Sequence, residues 1–209
     1  MTGRPALEVS ALPQHGFDTR APLWWGNLFL LMIETTMFGI LVATYFYLRQ
    51  NFLLWPPPHT HISPFLLDPV PNLLIPTINL FVILLSCVPM FLVDKAARRG
   101  DKLVAQIGLL ICIIFAVAAI ILRWKEFWGI GFTWDENAYG SVMWFVLGMH
   151  ILHLMTGLGE CVFLALWVFL RKFDEKHRLD ITVLAVYWYW IAGVWIPLYA
   201  IIYFTPRWQ

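Results

Sequence analysis

The chain has 209 residues, of which 60% are hydrophobic and 13% are charged. Soluble domains average about 45–50% apolar and about 25% charged residues, so this composition excludes an ordinary water-soluble domain and favours a membrane protein. The formal net charge of +1 gives no sign of a nucleic-acid partner, and we expect none.

Residues 1–22 predict a polar N-terminal tail on the cytoplasmic side. Five apolar stretches follow, each long enough to cross a bilayer core of about 30 Å as a helix. Because backbone groups in lipid must be satisfied internally, these stretches predict helices and not open strands. The sequence therefore predicts an all-α polytopic membrane protein, a single five-helix domain over residues 23–209. The predicted spans are residues 24–48, 72–93, 103–122, 140–170 and 183–204.

The distribution of lysine and arginine predicts the orientation of these helices. One side of the membrane receives ten basic residues: Arg4, Arg20, Lys95, Arg98, Arg99, Lys102, Arg171, Lys172, Lys176 and Arg178. The other side receives four: Arg49, Arg123, Lys125 and Arg207. Cytoplasmic loops carry the excess of basic residues, so the N-terminus is predicted inside and the C-terminus outside.

Glu34 is the first polar group that should be costly in lipid. It lies ten residues past Trp24, roughly 15 Å along the first helix. Asn27, Glu34 and Tyr45 fall on one helical face, which predicts that Glu34 faces other helices. A protonated structural glutamate, a proton-relay group and a ligand for a lipid headgroup remain open as its roles.

A second polar stripe runs along the fourth helix. His150, His153, Gly157 and Glu160 are spaced i, i+3, i+7 and i+10, which places them on one face. Counting residues from the membrane surface puts Glu34 and Glu160 at similar depth. We therefore hypothesise that the two carboxyl groups are neighbours that share at least one proton.

Neither histidine of this stripe predicts a metal centre. His150 and His153 with one distant carboxylate make an incomplete ligand set for haem or a metal ion. Hydrogen bonds across helices are the favoured interpretation, with Gly148 and Gly157 allowing close approach. We therefore expect no catalytic residue, no metal site and no cofactor in this chain.

The order of these motifs resembles subunit III of the haem-copper respiratory oxidases, the cytochrome c oxidases and their quinol-oxidase relatives. The matching segments are residues 28–38 around Glu34, Trp55-Pro56-Pro57, Glu126 with Tyr139-Gly140-Ser141, residues 148–157, Tyr187-Trp188 and Val194-Trp195. The most specific is Gly148-Met149-His150-Ile151-Leu152-His153 followed by Gly157. The chain resembles the five-helix bacterial form of the family. It departs from the pattern at Tyr189 and Ala192, where the family has His and Asp, and Glu160 looks like an additional carboxylate.

This resemblance implies an accessory role. Subunit III carries no redox centre; it packs beside the catalytic subunit I and other oxidase subunits, which hold haem and copper. It binds phospholipids in a cleft and supports proton uptake during aerobic electron transport in the bacterial inner membrane. Carried over by position, Glu34, His150, His153 and Glu160 would line this proton and lipid cleft. Arg171 and His177 would bind lipid headgroups or collect protons.

Two alternatives remain open. One is a subunit-III-like partner of a nitric oxide reductase, which would have the same fold. The other is a small proton-coupled transporter that uses Glu34 and Glu160 as a relay. Transporters of the inverted-repeat type should show internal symmetry, and the sequence shows none.

Overall fold

The computed structural model describes residues 21–58, 70–171 and 175–208, without the side chains of residues 175–177. Most of the predicted tail, residues 1–20, lies outside this part of the chain. The five helices are α1 (Pro22–Arg49), α2 (Leu74–Arg99), α3 (Lys102–Gly129), α4 (Ala138–Leu170) and α5 (Glu175–Phe204), and a 3-10 turn follows over Thr205–Arg207. All five are long and apolar enough to cross a membrane. The prediction of an all-α chain with five spans is confirmed.

Three helices extend beyond the predicted limits. Helix α2 continues from 93 to Arg99, α3 continues from 122 to Gly129, and α5 begins at Glu175 and not near 183. Charged residues in the added turns of α2 and α3 pair with one another, Arg98 with Asp94 and Arg123 with Glu126. A prediction from hydropathy alone ends a helix at the first charged residues. Opposite charges spaced i, i+3 or i, i+4 can pair along the helix, so the helix continues beyond that point.

The helices pack as a ring of four with one helix outside. Helices α2, α3, α4 and α5 contact one another in that order, and α5 closes the ring against α2. Helix α1 lies outside the ring and packs on α4 and α5. A Cβ atom at Gly157 of α4 would come within 2.9 Å of the Trp188 ring of α5, so glycine permits the close packing of these two helices. Because α4 contacts α3 and α5 within the ring and α1 outside it, its polar side chains can meet partners on several helices.

The two ends of the bundle differ in chemistry. One end, called here the basic end, carries Arg98, Arg99, Lys102 and Arg171, and the Lys102 Nζ atom donates to the Arg171 carbonyl at 3.0 Å. At the other end the Trp55 side chain is 2% exposed and donates to the Tyr45 hydroxyl at 2.8 Å. The loop around Trp55 bends and packs its indole ring against those of Tyr45 and Tyr139.

Candidate functional site

Glu34 and His153 form a pair between α1 and α4. The Glu34 Oε2 atom lies 3.0 Å from the His153 Nε2 atom, and their side chains are 20% and 10% exposed. On its other side, His153 Nδ1 lies 2.7 Å from the Met149 carbonyl oxygen. The inward orientation predicted for Glu34 is confirmed, and its partner is a histidine of the predicted α4 stripe.

Aromatic rings surround this pair. The centroid of the His153 ring lies 5.2 Å from that of Phe38 and 5.4 Å from that of Trp190. The Trp190 indole donates to the Thr35 hydroxyl at 2.8 Å, which ties α5 to α1 beside Glu34. These rings exclude water from most of the pair and strengthen the interaction between its charged or polar atoms.

The contacts of His153 indicate where hydrogens lie in the pair. A carbonyl oxygen can only accept, so His153 Nδ1 carries a hydrogen and donates to Met149. The hydrogen bond between His153 Nε2 and Glu34 Oε2 then holds one further proton. That proton gives either an imidazolium beside a carboxylate or a neutral imidazole beside a carboxylic acid. Both forms have zero net charge, so a proton can move between the two atoms without charging the site.

A second polar cluster, the Arg123 cluster, lies among α2, α3, α4 and α5. It contains Asn79, Arg123, Glu126, His150, Trp195 and Tyr203. Arg123 Nη1 donates to Glu126 Oε2, and the Arg123 and Glu126 side chains are both 0% exposed. Asn79 Nδ2 donates to the other carboxylate oxygen at 2.9 Å, and the Tyr203 hydroxyl donates to Oε2 at 3.3 Å. The buried carboxylate therefore has donors on both oxygens, as a buried charge requires.

His150 joins this cluster in a defined tautomer. Arg123 Nη2 is a donor and lies 3.2 Å from His150 Nδ1, so Nδ1 accepts. His150 Nε2 then carries the hydrogen and donates to the Ile191 carbonyl at 3.3 Å. The Trp195 ring packs against both side chains, with its centroid 3.5 Å from Arg123 Cζ and 4.6 Å from the centroid of the His150 ring. A second proton, on Nδ1 of His150, would point at the positively charged guanidinium of Arg123. This repulsion keeps His150 neutral.

The prediction that both histidines hydrogen-bond across helices is confirmed. His150 contacts α3 and α5, and His153 contacts α1. All four ring nitrogens are thus engaged with protein groups. Among residues 21–58, 70–171 and 175–208, no group of three or more His, Cys, Asp or Glu side chains is arranged to hold a metal ion.

Sequence reasoning assigned Arg123 to an outer loop and gave Glu126 no partner. In the structure both residues belong to α3. Their side chains are buried in the bundle, where the opposite charges of the guanidinium and the carboxylate neutralise each other. Two signals in the sequence could have revealed this pair: the i, i+3 spacing of opposite charges, and the apolar Phe127 that continues the helix beyond them. No such local signal identifies Asn79, because its partner Glu126 lies on another helix.

Glu160 occupies a third environment. It lies seven residues beyond His153 on α4, roughly 10 Å further towards the basic end. There it lines an open groove, the Glu160 groove, of about 520 Å³ between α4, α5 and the start of α1, together with Leu23, Gly159, Phe163, Leu164, Asp180, Val183 and Leu184. The hypothesis that Glu34 and Glu160 share a proton therefore does not match the structure, because Glu34 pairs with His153 one and a half to two turns away.

The two remaining predicted residues lie near the basic end. Arg171 follows the last turn of α4, is exposed, and places its guanidinium carbon 5.8 Å from the centroid of the Trp167 ring. His177 belongs to the first turn of α5, but its side chain lies outside the described part of the structure. Arg171 is thus free to meet groups at a membrane surface, and the role predicted for His177 stays a prediction.

Comparison with known proteins identifies the family. The family model described as cytochrome c oxidase subunit III matches residues 6–207. The chain is 26% identical over 189 residues to cytochrome c oxidase subunit 3 of Thermostichus vulcanus, across 87% of both chains. It is 30% identical over 184 residues to the probable cytochrome c oxidase subunit 3 of Mycobacterium tuberculosis, across 86% of both chains. The corresponding protein of Nocardia farcinica is 29% identical over 211 residues, which cover 98% of this chain and 100% of that relative. This multi-pass chain therefore belongs to the cytochrome c oxidase subunit III family of the haem-copper oxidases.

Proposed function

We propose that the chain is a non-catalytic subunit III of a haem-copper terminal oxidase in a bacterial inner membrane. In this role it stabilises the catalytic subunit I, binds phospholipid and supports proton uptake while oxygen is reduced to water. Its N-terminus lies inside and its C-terminus outside. Arg123, one of the four basic residues counted on the outer side, is buried. Three basic residues then remain on the outer side against ten on the inner side, which supports this orientation.

The engagement of the histidines supports a non-catalytic role. Haem and copper need free imidazole nitrogens or thiolates as ligands. His150 and His153 use both ring nitrogens in hydrogen bonds to protein groups. These two histidines are therefore not available as ligands. We propose that the haem and copper of the oxidase lie in partner subunits, where they supply electron transfer and oxygen reduction.

The Glu34–His153 pair is the observation that carries the proton role. Two titratable groups that share one proton within a membrane-spanning bundle are the usual components of a proton relay. Their partial exposure, 20% and 10%, lets a neighbouring subunit or a water chain reach them. A fully buried pair such as Arg123–Glu126 lacks that access.

Lipid binding is assigned to the basic end and to the faces of α1. Arg171 is exposed at the end of α4, where a guanidinium can pair with phosphate groups of anionic lipids. Aliphatic and aromatic side chains of α1, including Phe29, Ile33 and Ile40, are exposed and suit acyl chains. We propose that His177 contributes to the same headgroup site.

The test is a Glu34→Gln variant in the assembled oxidase. Glutamine keeps the size of the side chain and removes the exchangeable proton. We expect unchanged visible spectra at the start, slower proton uptake, and faster loss of activity during turnover. The measurements are stopped-flow proton uptake and the number of turnovers before inactivation.

A matched control is Thr36→Ala on the exposed face of the same helix, where the hydroxyl bonds only to its own helix at Ile33. This variant should behave as the unmodified enzyme. Unaltered proton uptake and durability in Glu34→Gln would refute the proton role. Purification without any haem-bearing partner would refute the subunit assignment and favour a standalone transporter.

A further inference from the structure

Tyr187 of α5 lies beside the Glu34–His153 pair. It is buried, its hydroxyl donates to the His153 carbonyl oxygen at 3.5 Å, and its ring stacks on that of Trp190 with the centroids 5.9 Å apart. A backbone carbonyl points towards the C-terminal end of its own helix. The Tyr187 hydroxyl therefore lies on the side of His153 that faces Glu160 and the basic end.

The Glu160 groove opens near the membrane surface at the basic end. Leu23, the second residue of α1, forms part of its wall, and Asn27, one turn further along α1, donates to the carbonyl of Val183 in the groove at 3.4 Å. Helix α1 has 28 residues, which makes it longer than a bilayer core of about 30 Å, so its first turn reaches the headgroup level. Glu160 is exposed in this wall, where its carboxyl group can exchange protons with water.

Contacts between α1 and α5 order the three sites by depth. Glu34 lies seven residues beyond Asn27 on α1, roughly 10 Å deeper in the membrane. Tyr187 lies four residues beyond Val183 on α5, roughly 6 Å deeper. Because Asn27 and Val183 are in contact, Tyr187 stands between the groove and the Glu34–His153 pair. Its hydroxyl interacts electrostatically with the carboxyl groups of both Glu160 and Glu34, which agrees with this placement.

The chemistry of these groups suits the passage of a proton. A carboxyl group that meets water can bind a proton and release it again. A tyrosine hydroxyl can accept one hydrogen bond while it donates another. A proton that reaches its oxygen from one side therefore lets its own hydrogen leave on the other side, with no net change in charge. The Tyr187 hydroxyl can thus connect Glu160 with Glu34, directly or through a water molecule.

We propose that the Glu160 groove is the water-filled entrance through which protons reach the Glu34–His153 pair, with Tyr187 as the connecting hydroxyl. After the pair has given its proton to another group of the oxidase, protonated Glu160 passes one proton through Tyr187 to the pair. Glu160 then takes up a new proton from water at the basic end, so each cycle moves one proton and restores every group. This proposal rests on the proton role proposed for the pair.

The first experiment compares Tyr187→Phe with Tyr189→Phe in the assembled oxidase. Phenylalanine keeps the ring and removes only the hydroxyl. Tyr189 lies two residues along α5 and interacts with Asp94 of α2 instead, so it is the matched control. We expect stopped-flow proton uptake to slow about tenfold in Tyr187→Phe and to stay unchanged in the control. This loss is smaller than that of a directly acting proton donor, because water can replace part of the function of the hydroxyl.

The second experiment tests the entrance with Glu160→Gln and Glu160→Asp. A carboxyl group that collects protons matters most when protons are scarce, so the loss of uptake rate in the glutamine variant should grow as the pH rises. A purely structural effect would be the same at every pH. The aspartate variant keeps the carboxyl group and should stay near the unmodified rate. The other titratable groups along the route, Glu34, His153 and Asp180, are the same in both variants.

Combining Tyr187→Phe with Glu34→Gln shows whether the two groups act on one route, since the double variant should then be no slower than Glu34→Gln alone. Further slowing in the double variant, an equal loss in Tyr189→Phe, or unaltered or pH-independent uptake in Glu160→Gln would each overturn the proposal. Glu160 is exposed, so its variants decide the matter even if loss of the Tyr187 hydroxyl weakens the fold. Slow uptake in Glu34→Gln would still support the proton role of the pair in these cases, and unaltered uptake there would refute that role itself.

Discussion

The Glu34–His153 pair and the Arg123 cluster use similar groups for opposite purposes. Each contains one histidine of α4, and the two histidines are only three residues apart. His153 faces a carboxylate at 3.0 Å and keeps partial exposure, which is the basis for the proton role proposed for its site. His150 faces a guanidinium at 3.2 Å and is fully enclosed. The neighbour across the helix interface, and not the residue type, decides whether a histidine can carry a proton.

The largest effect should come from breaking the ion pair of the Arg123 cluster. Arg123→Gln leaves the buried Glu126 carboxylate without its cation, and removing one partner of a buried pair typically costs about 3–5 kcal/mol. We expect a large fall in the thermal stability of the complex or loss of this chain from it. The measurement is thermal unfolding in detergent, followed by intrinsic tryptophan fluorescence.

The double variant Arg123→Gln with Glu126→Gln is the control for this prediction. It removes both charges and keeps amide groups that can bond to Asn79 and Tyr203. Recovery of most of the lost stability would confirm that the unpaired charge causes the damage. A double variant no better than the single one would show that the guanidinium acts through other contacts.

A smaller effect is expected from His150→Leu. Leucine leaves Arg123 Nη2 without its acceptor, and an unsatisfied buried donor costs about 1–3 kcal/mol. The same thermal unfolding assay should place this variant between the unmodified protein and Arg123→Gln. Stability equal to that of the unmodified protein would contradict the role of His150 as an acceptor for Arg123.

The smallest effect on stability should come from His153→Leu. Glu34 is partly exposed, so removing its partner does not leave a fully buried polar group, and hydrogen bonds between membrane helices average only about 0.6 kcal/mol. We expect near-normal thermal stability together with the slow proton uptake of Glu34→Gln. A cost equal to that of His150→Leu would remove the distinction between the two sites.

The sequence was sufficient for the spans and for the inward faces, because both follow from local patterns. Glu34 and the α4 histidines lie on polar stripes of apolar helices and face other helices, as predicted. Glu160, which was predicted on the same α4 stripe, is instead exposed. The sequence was insufficient for the pairing of those groups. Which of His153 and Glu160 meets Glu34 depends on the vertical shift between α1 and α4, and no local pattern encodes that shift.

The Arg123 cluster shows a different limit. Hydropathy treats Arg123 and Glu126 as the start of a loop, whereas together they form a neutral pair that a helix can bury. Asn79 and Tyr203 complete the cluster from α2 and α5. Contacts of this kind join residues far apart in the chain, so only the packed bundle reveals them.

The central claim is that His153 shares a movable proton with Glu34 while His150 is fixed as a neutral tautomer. Nitrogen-15 NMR of the oxidase with labelled histidines in this chain measures the protonation of each ring nitrogen. We predict a His150 signal with hydrogen on Nε2 alone at every pH at which the complex is stable. We predict for His153 a hydrogen on Nδ1 throughout and an Nε2 signal that changes in Glu34→Gln. A His150 imidazolium, or a His153 signal unaffected by Glu34→Gln, would contradict this account.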